Sequence, residues 1–125
     1  MRTMLRSFLL AAMLLSSATH AAANFDQATF DALQKAGRPT LVIVHADWCP
    51  TCRAQVPLIS DLLKEPEFSK ITALRVDFDT QREAVKFFKA TQQSTLIVFK
   101  GGKEVGRSLG DTRRDSIQAL LKRAL

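Results

Sequence analysis

The run Leu41-Val42-Ile43-Val44, opened by Pro39-Thr40, constrains this chain more than any other feature. Uninterrupted aliphatic and β-branched residues predict a strand with no polar face. A strand buried on both sides belongs in a sheet covered by helices above and below, the habit of parallel α/β sheets. The neighbouring segments agree. Phe25, Ala28, Ala32, Leu33 and Ala36 recur at helical spacing, with Asp26 as cap and Gly37 as stop. After Cys49, the residues Cys52, Val56, Ile59 and Leu63 predict one face of a helix, kinked at Pro57 because proline removes a backbone donor. Ile71 to Phe78 reads as a second strand, and Gln81 to Ala90 as a helix on Ala84, Val85 and Phe88. Leu96 to Phe99 is a third strand, and Gly101-Gly102 a two-residue hairpin turn into Lys103 to Leu109. Asp111 caps a last helix whose buried stripe is Ile117, Leu120, Leu121 and Ala124. That order of elements predicts an α/β three-layer sandwich, a central mixed β-sheet flanked by helices.

Composition bounds the function. A chain of 125 residues, 46% hydrophobic and 24% charged, has room for one globular domain and a short extra segment. Its net charge of +6 is scattered. With no dense Lys/Arg cluster and no aromatic array beside one, a nucleic-acid partner is not expected. No apolar run reaches the roughly 18–20 residues of a spanning helix.

Residues 1–23 read as a signal peptide. Arg2 and Arg6 precede an apolar stretch from Phe8 to Leu15, and small residues follow, ending in Ala21-Ala22-Ala23. Cleavage fits after Ala21 or Ala23, leaving a domain over 24–125 with no stable membrane insertion. Losing Arg2 and Arg6 lowers the charge of +6 to about +4. Export places the chain in an oxidising compartment, a bacterial periplasm.

There that compartment frames the two cysteines, Cys49 and Cys52. Three positions apart on a helix, they share a face within bridging distance. Cys49 falls at the helix N-terminus, where free N–H groups and the macrodipole favour a thiolate. Pro50 suits the first turn, which requires no donor. Cys52 lies one turn further in. One sulfur can attack while the other resolves, so the spacing suits thiol–disulfide exchange. The alternatives are weaker. A structural bridge closing so short a loop gains little chain entropy. A structural zinc wants four ligands, and Cys49, Cys52 and His45 make three. Haem attachment needs His after the second Cys, and Arg53 stands there.

Trp48-Cys49-Pro50-Thr51-Cys52, the strand before it, Pro57 after it, and the closing hairpin and helix resemble the thioredoxin family over nearly all of the mature chain. The Pro-Thr pair followed by Arg53-Ala54 resembles exported reductants of cytochrome c maturation. The resemblance implies a redox-active Cys49–Cys52 disulfide with no other cofactor, exported protein disulfides as substrates, and a membrane protein as electron donor. It implies a monomer in which Trp48, Pro50, Thr51, Ser94 and Thr95 shape the docking surface. Two departures stand out. The family carries a buried Asp six residues before the first cysteine, as proton acceptor for the resolving thiol; here that residue is Ile43. His45, which could shuttle protons, reads first as a packing residue. The family also places a cis-proline opposite the cysteines, where this chain has Ser94. A cis bond before a non-proline costs roughly 2.5–4 kcal/mol, so Gln93–Ser94 is expected trans.

The reading is a periplasmic thiol–disulfide oxidoreductase that reduces disulfides through Cys49, the nucleophile, and Cys52, the resolving thiol. The competing class is a copper or iron–sulfur protein binding through Cys49 and Cys52. With Pro50 and Thr51 between the cysteines, the helix N-terminus is the one clear thiolate stabiliser, which places the potential toward the reducing end. Phe87-Phe88 reads as core plus an edge contact, and Arg113-Arg114 as a solvated helix start.

Overall fold

A computed structural model describes residues 22–125. The signal-peptide expectation for residues 1–21 lies outside them. The elements are β1 (Ala23–Asn24), α1 (Gln27–Lys35), β2 (Thr40–His45), α2 (Pro50–Leu63), β3 (Thr72–Asp77), α3 (Arg82–Phe87), β4 (Thr95–Lys100), β5 (Lys103–Leu109) and α4 (Arg114–Lys122). A short 3-10 turn, Pro66–Phe68, follows α2. The sheet order is β1-β3-β2-β4-β5. Strand β2 runs parallel to β3 and antiparallel to β4, so the sheet is mixed, as expected.

All six residues of β2 are buried, which is what an unbroken apolar run requires of a central strand. Its side chains alternate between two cores. Leu41 and Ile43 pack with Ile59, Leu62 and Leu63 of α2 and with Ile117, Leu120 and Leu121 of α4. Val42 and Val44 pack on the other side with Phe30 of α1 and with Ala84, Val85 and Phe88 around α3. The three layers are therefore α2/α4, sheet, α1/α3. The second core is aromatic. Phe30 meets Phe88, Phe99 and Phe87 edge-on at 5.0, 5.1 and 5.9 Å between ring centroids. Such pairs add about 0.5–1.5 kcal/mol each beyond their burial. Phe88 is core and Phe87 an exposed edge, as the sequence indicates.

Four expectations change. Phe25 does not open a helix: Ala23 and Asn24 pair with Leu74 and Arg75, and the Phe25 N–H donates to the Arg75 carbonyl. A two-residue strand is too short to show a periodicity. Helix α1 starts after Asp26, whose carboxylate accepts from the Thr29 N–H as predicted, and its buried residue is Phe30 rather than Ala28 or Ala32. On α2 the buried set is Cys52, Gln55, Ile59, Leu62 and Leu63, and Val56 is exposed. The helix continues through Pro57 to Leu63. Arg113, not Asp111, occupies the N-cap of α4; the Asp111 carboxylate accepts the Arg113 N–H from two residues upstream. The hairpin is as expected, with φ of +58° at Gly101 and +79° at Gly102, the signature of a turn whose two central residues are left-handed.

Candidate active site

Strand β2 ends at His45, and Ala46-Asp47-Trp48 carries the chain to α2. The Cys49 N–H donates to the Ala46 carbonyl, which closes the turn. Cys49 is the N-cap of α2: its sulfur accepts from the Cys52 N–H at 3.2 Å, filling one of the first-turn donors that a helix cannot satisfy itself. Pro50 takes the first helical position, and Thr51 is half-buried beside it. Both thiols are free and buried, Cys49 3% and Cys52 1% exposed, with Ala46 and Phe78 packed around them.

The two sulfurs are electrostatically unlike. Burial pushes the Cys49 thiol up, but the Cys52 thiol and N–H, the Ser94 hydroxyl and the Gln93 side chain all hydrogen-bond it and hold it below the ordinary range. Burial also pushes Cys52 up, and the adjoining Cys49 raises it further by its hydrogen bond and charge. The Ala46 N–H and Ser94 hydroxyl offset only part of that rise. The more acidic thiol thus stands at the helix end, with the less acidic one beneath it.

Ser94 is the centre of the facing loop. No described peptide bond is cis, so Gln93–Ser94 is trans as the energy argument requires. Ser94 instead adopts φ +56°, a left-handed conformation that costs a serine about 1–2 kcal/mol. The side chain is buried, with Oγ 4.0 Å from Cys49 Sγ. Its carbonyl is held by the Gly110 N–H at 2.9 Å and the Gln55 amide at 3.3 Å. Gln55 Nε2 also donates to the Asp111 carbonyl at 2.9 Å, tying two loops to α2 beneath the cysteines. Ser94 is thus a ligand of the sulfur rather than an open docking surface. Thr95 is likewise buried, its hydroxyl donating to the Gln92 carbonyl. Trp48 beside them is 58% exposed and anchored through its indole N–H to Asp79 at 2.7 Å.

His45 is buried, with Nε2 2.9 Å from the exposed Asp47 carboxylate. Gln55, Gln93 and Asp79 are site residues that sequence reasoning missed. The signal for Gln55 was present, an amide three residues after Cys52 on the face that carries it. Among the described residues no three His, Cys, Asp or Glu side chains converge as a metal site.

A cysteine at a helix N-terminus, with a second thiol below it, thus faces a trans loop on a mixed sheet. The thioredoxin family profile matches residues 16–123, most of the chain. The chain belongs to the thioredoxin family. It is 34% identical over 83 residues to the thioredoxin of Chlamydia trachomatis serovar D, covering 66% of this chain and 79% of that one. Against the thioredoxin of Alicyclobacillus acidocaldarius it is 31% identical over 99 residues, covering 79% and 89%. Among solved structures, Trxlp from Edwardsiella tarda superposes with a TM-score of 0.79 at 38% identity, over 81% of this chain and 98% of that one. This member of the thioredoxin family is accordingly a thiol–disulfide oxidoreductase, with the three-layer fold expected from its sequence.

Proposed function

We propose that this thioredoxin is exported to a periplasm and there reduces disulfides of other exported proteins, including those that serve cytochrome c maturation. The observation that carries the direction of attack is the inequality of the two thiols, Cys49 lowered and Cys52 raised. The Cys49 thiolate attacks a substrate disulfide and forms a mixed disulfide, expelling one substrate thiolate. Cys52 then attacks Cys49 Sγ, the mixed bond breaks, and the second substrate thiolate leaves. Two electrons pass to the substrate, and the Cys49–Cys52 disulfide remains. No cofactor beyond that dithiol enters the reading. A membrane electron donor recharges the pair, and the protein acts as a monomer.

Export rests on the charged, apolar and small-residue order of residues 1–23. Cleavage after Ala21 is the better of the two sites because β1 uses Ala23 and Asn24. The reducing direction rests on the thiolate's surroundings. Helix α2 is not its sole stabiliser, since Ser94 and Gln93 add donors that the sequence reading did not include. None of these is a cation, the usual means of reaching a strongly oxidising potential. A potential nearer the about −270 mV reducing extreme than the about −120 mV oxidising one follows.

Equilibration of the purified protein against glutathione tests the reading. A potential above about −160 mV makes it an oxidant and overturns it. In cells, Cys52→Ser should trap mixed disulfides with exported partners. Trapping by Cys49→Ser alone would reverse the two roles.

A further inference from the structure

Resolution of the mixed disulfide requires Cys52 to lose its proton, which burial beside Cys49 opposes. Ile43 offers no titratable group for the task. It does line a cavity of about 90 Å³ that Cys52, His45, Gln55, Ser60 and Arg75 share. Two buried polar atoms of these residues, Gln55 Oε1 and Arg75 Nε, have no protein partner. Buried polar atoms are nearly always satisfied, so two on the residues of one cavity mark it as a place for water. Its volume admits several water molecules.

His45 lines that cavity and also the neighbouring cleft formed with Asp47, Asp77 and Thr80. It follows Ile43 by two residues on β2, so the two side chains leave the same face of the sheet, toward α2. Cys52 lies against the next residue, since its sulfur accepts from the Ala46 N–H. The charged groups around the ring are Asp47 from its own loop, Asp77 and Arg75 from β3, and Cys52 from α2. Asp77 pairs with His45 in the strand register, Arg75 pairs with Ile43, and Asp47 accepts from the ring at 2.9 Å. The Asp47 side chain is 96% exposed, which gives the proton a way out.

We propose that His45 is the proton acceptor for Cys52, reached through water in this cavity, with Asp47 as its outlet to solvent. The Cys52 S–H gives its proton to His45 by way of water. The resulting thiolate attacks Cys49 Sγ, the Cys49–substrate bond breaks, and the substrate leaves as a thiolate. The imidazolium then returns its proton to solvent beside Asp47. The inference rests on the exchange chemistry proposed above, and its test reads the two separately.

Reduced protein is mixed in stopped flow with dithiobis(nitrobenzoate). A first equivalent of coloured thiolate reports attack by Cys49, and a second reports resolution by Cys52. A first phase that is absent in the parent, or that survives in Cys49→Ser, overturns the exchange reading itself. His45→Gln should leave the first phase within about twofold and slow the second at least about tenfold near pH 7, general-base contributions running about 10²–10⁴. The second-phase profile should also lose the limb that an imidazole contributes between about pH 5 and 8. Asp47→Asn, at an exposed position, should keep the first phase and slow the second, because the ring loses the carboxylate beside which its proton leaves. An unchanged second phase with an unchanged profile in His45→Gln overturns the proposal. Should that variant not fold, an unchanged second phase in Asp47→Asn overturns it equally.

Discussion

Replacing Ser94 by alanine removes one hydroxyl 4.0 Å from Cys49 Sγ and leaves the backbone bonds of the loop in place. Toward a thiolate the hydroxyl can only donate. A hydrogen bond to a charged group contributes about 1.5–3 kcal/mol, and an O···S distance at the outer limit reduces that to about 1 kcal/mol. The loss raises the Cys49 pKa, because one of the donors that hold it down is gone. The hydroxyl stabilises the reduced form, so its removal makes the protein more reducing, by about 20 mV. Backbone strain is controlled by a second variant. At φ +56° alanine is as strained as serine, whereas glycine is not. Ser94→Gly should therefore shift the thiol and the potential as Ser94→Ala does, yet unfold at higher urea, by about 1 kcal/mol. Thiolate ultraviolet absorbance against pH and glutathione equilibration give the two quantities. A Cys49 pKa that stays put or falls in Ser94→Ala refutes the donor role. Potentials that differ between the alanine and glycine variants would assign the effect to the backbone.

Gly106→Ala should cost about 1–3 kcal/mol in urea unfolding, the usual range for overpacking. A Cβ there would stand 2.9 Å from Leu120 Cδ1, a buried side chain of α4, and 3.1 Å from Arg123 Cδ. An unchanged midpoint would mean that α4 moves off the sheet freely. Stability should also fall in acid. The Asp26 carboxyl is lowered by the Thr29 N–H and hydroxyl, and that of Asp77 chiefly by the Thr80 N–H, against burial, with help from Asp79. Folded values below the unfolded one of about 3.9 mean that both contributions are complete above that pH and vanish as pH drops through the folded values. The double variant Asp26→Ala/Asp77→Ala should be less stable than the parent near neutrality and converge with it in acid. Parallel stability curves would contradict this.

Much of the site was legible in local sequence. Trp48 to Cys52 places a thiol at a helix start because proline, cap and spacing act within one turn. That position supplies part of the Cys49–Cys52 inequality, through the Cys52 N–H on the Cys49 sulfur. The trans bond at Ser94 followed from a local energy difference. Ser94 as a hydroxyl on the sulfur did not, because 45 residues separate it from Cys49 and a packed loop brings them together. Gln55 shows the same limit. An apolar stripe predicts Val56 inward, but the carbonyls of Ser94 and Asp111 need a donor at that depth, and an amide supplies it.

Periodicity and turn chemistry thus determined the layers, the central strand β2, the glycine hairpin and the cysteine pair, since each depends on residues within a few positions of one another. Only the tertiary structure decided β1, the inward face of α2, the donors on Cys49 and the cavity joining Cys52 to His45. Each of those depends on unsatisfied polar groups from distant segments meeting in one buried place, and no local pattern encodes that meeting.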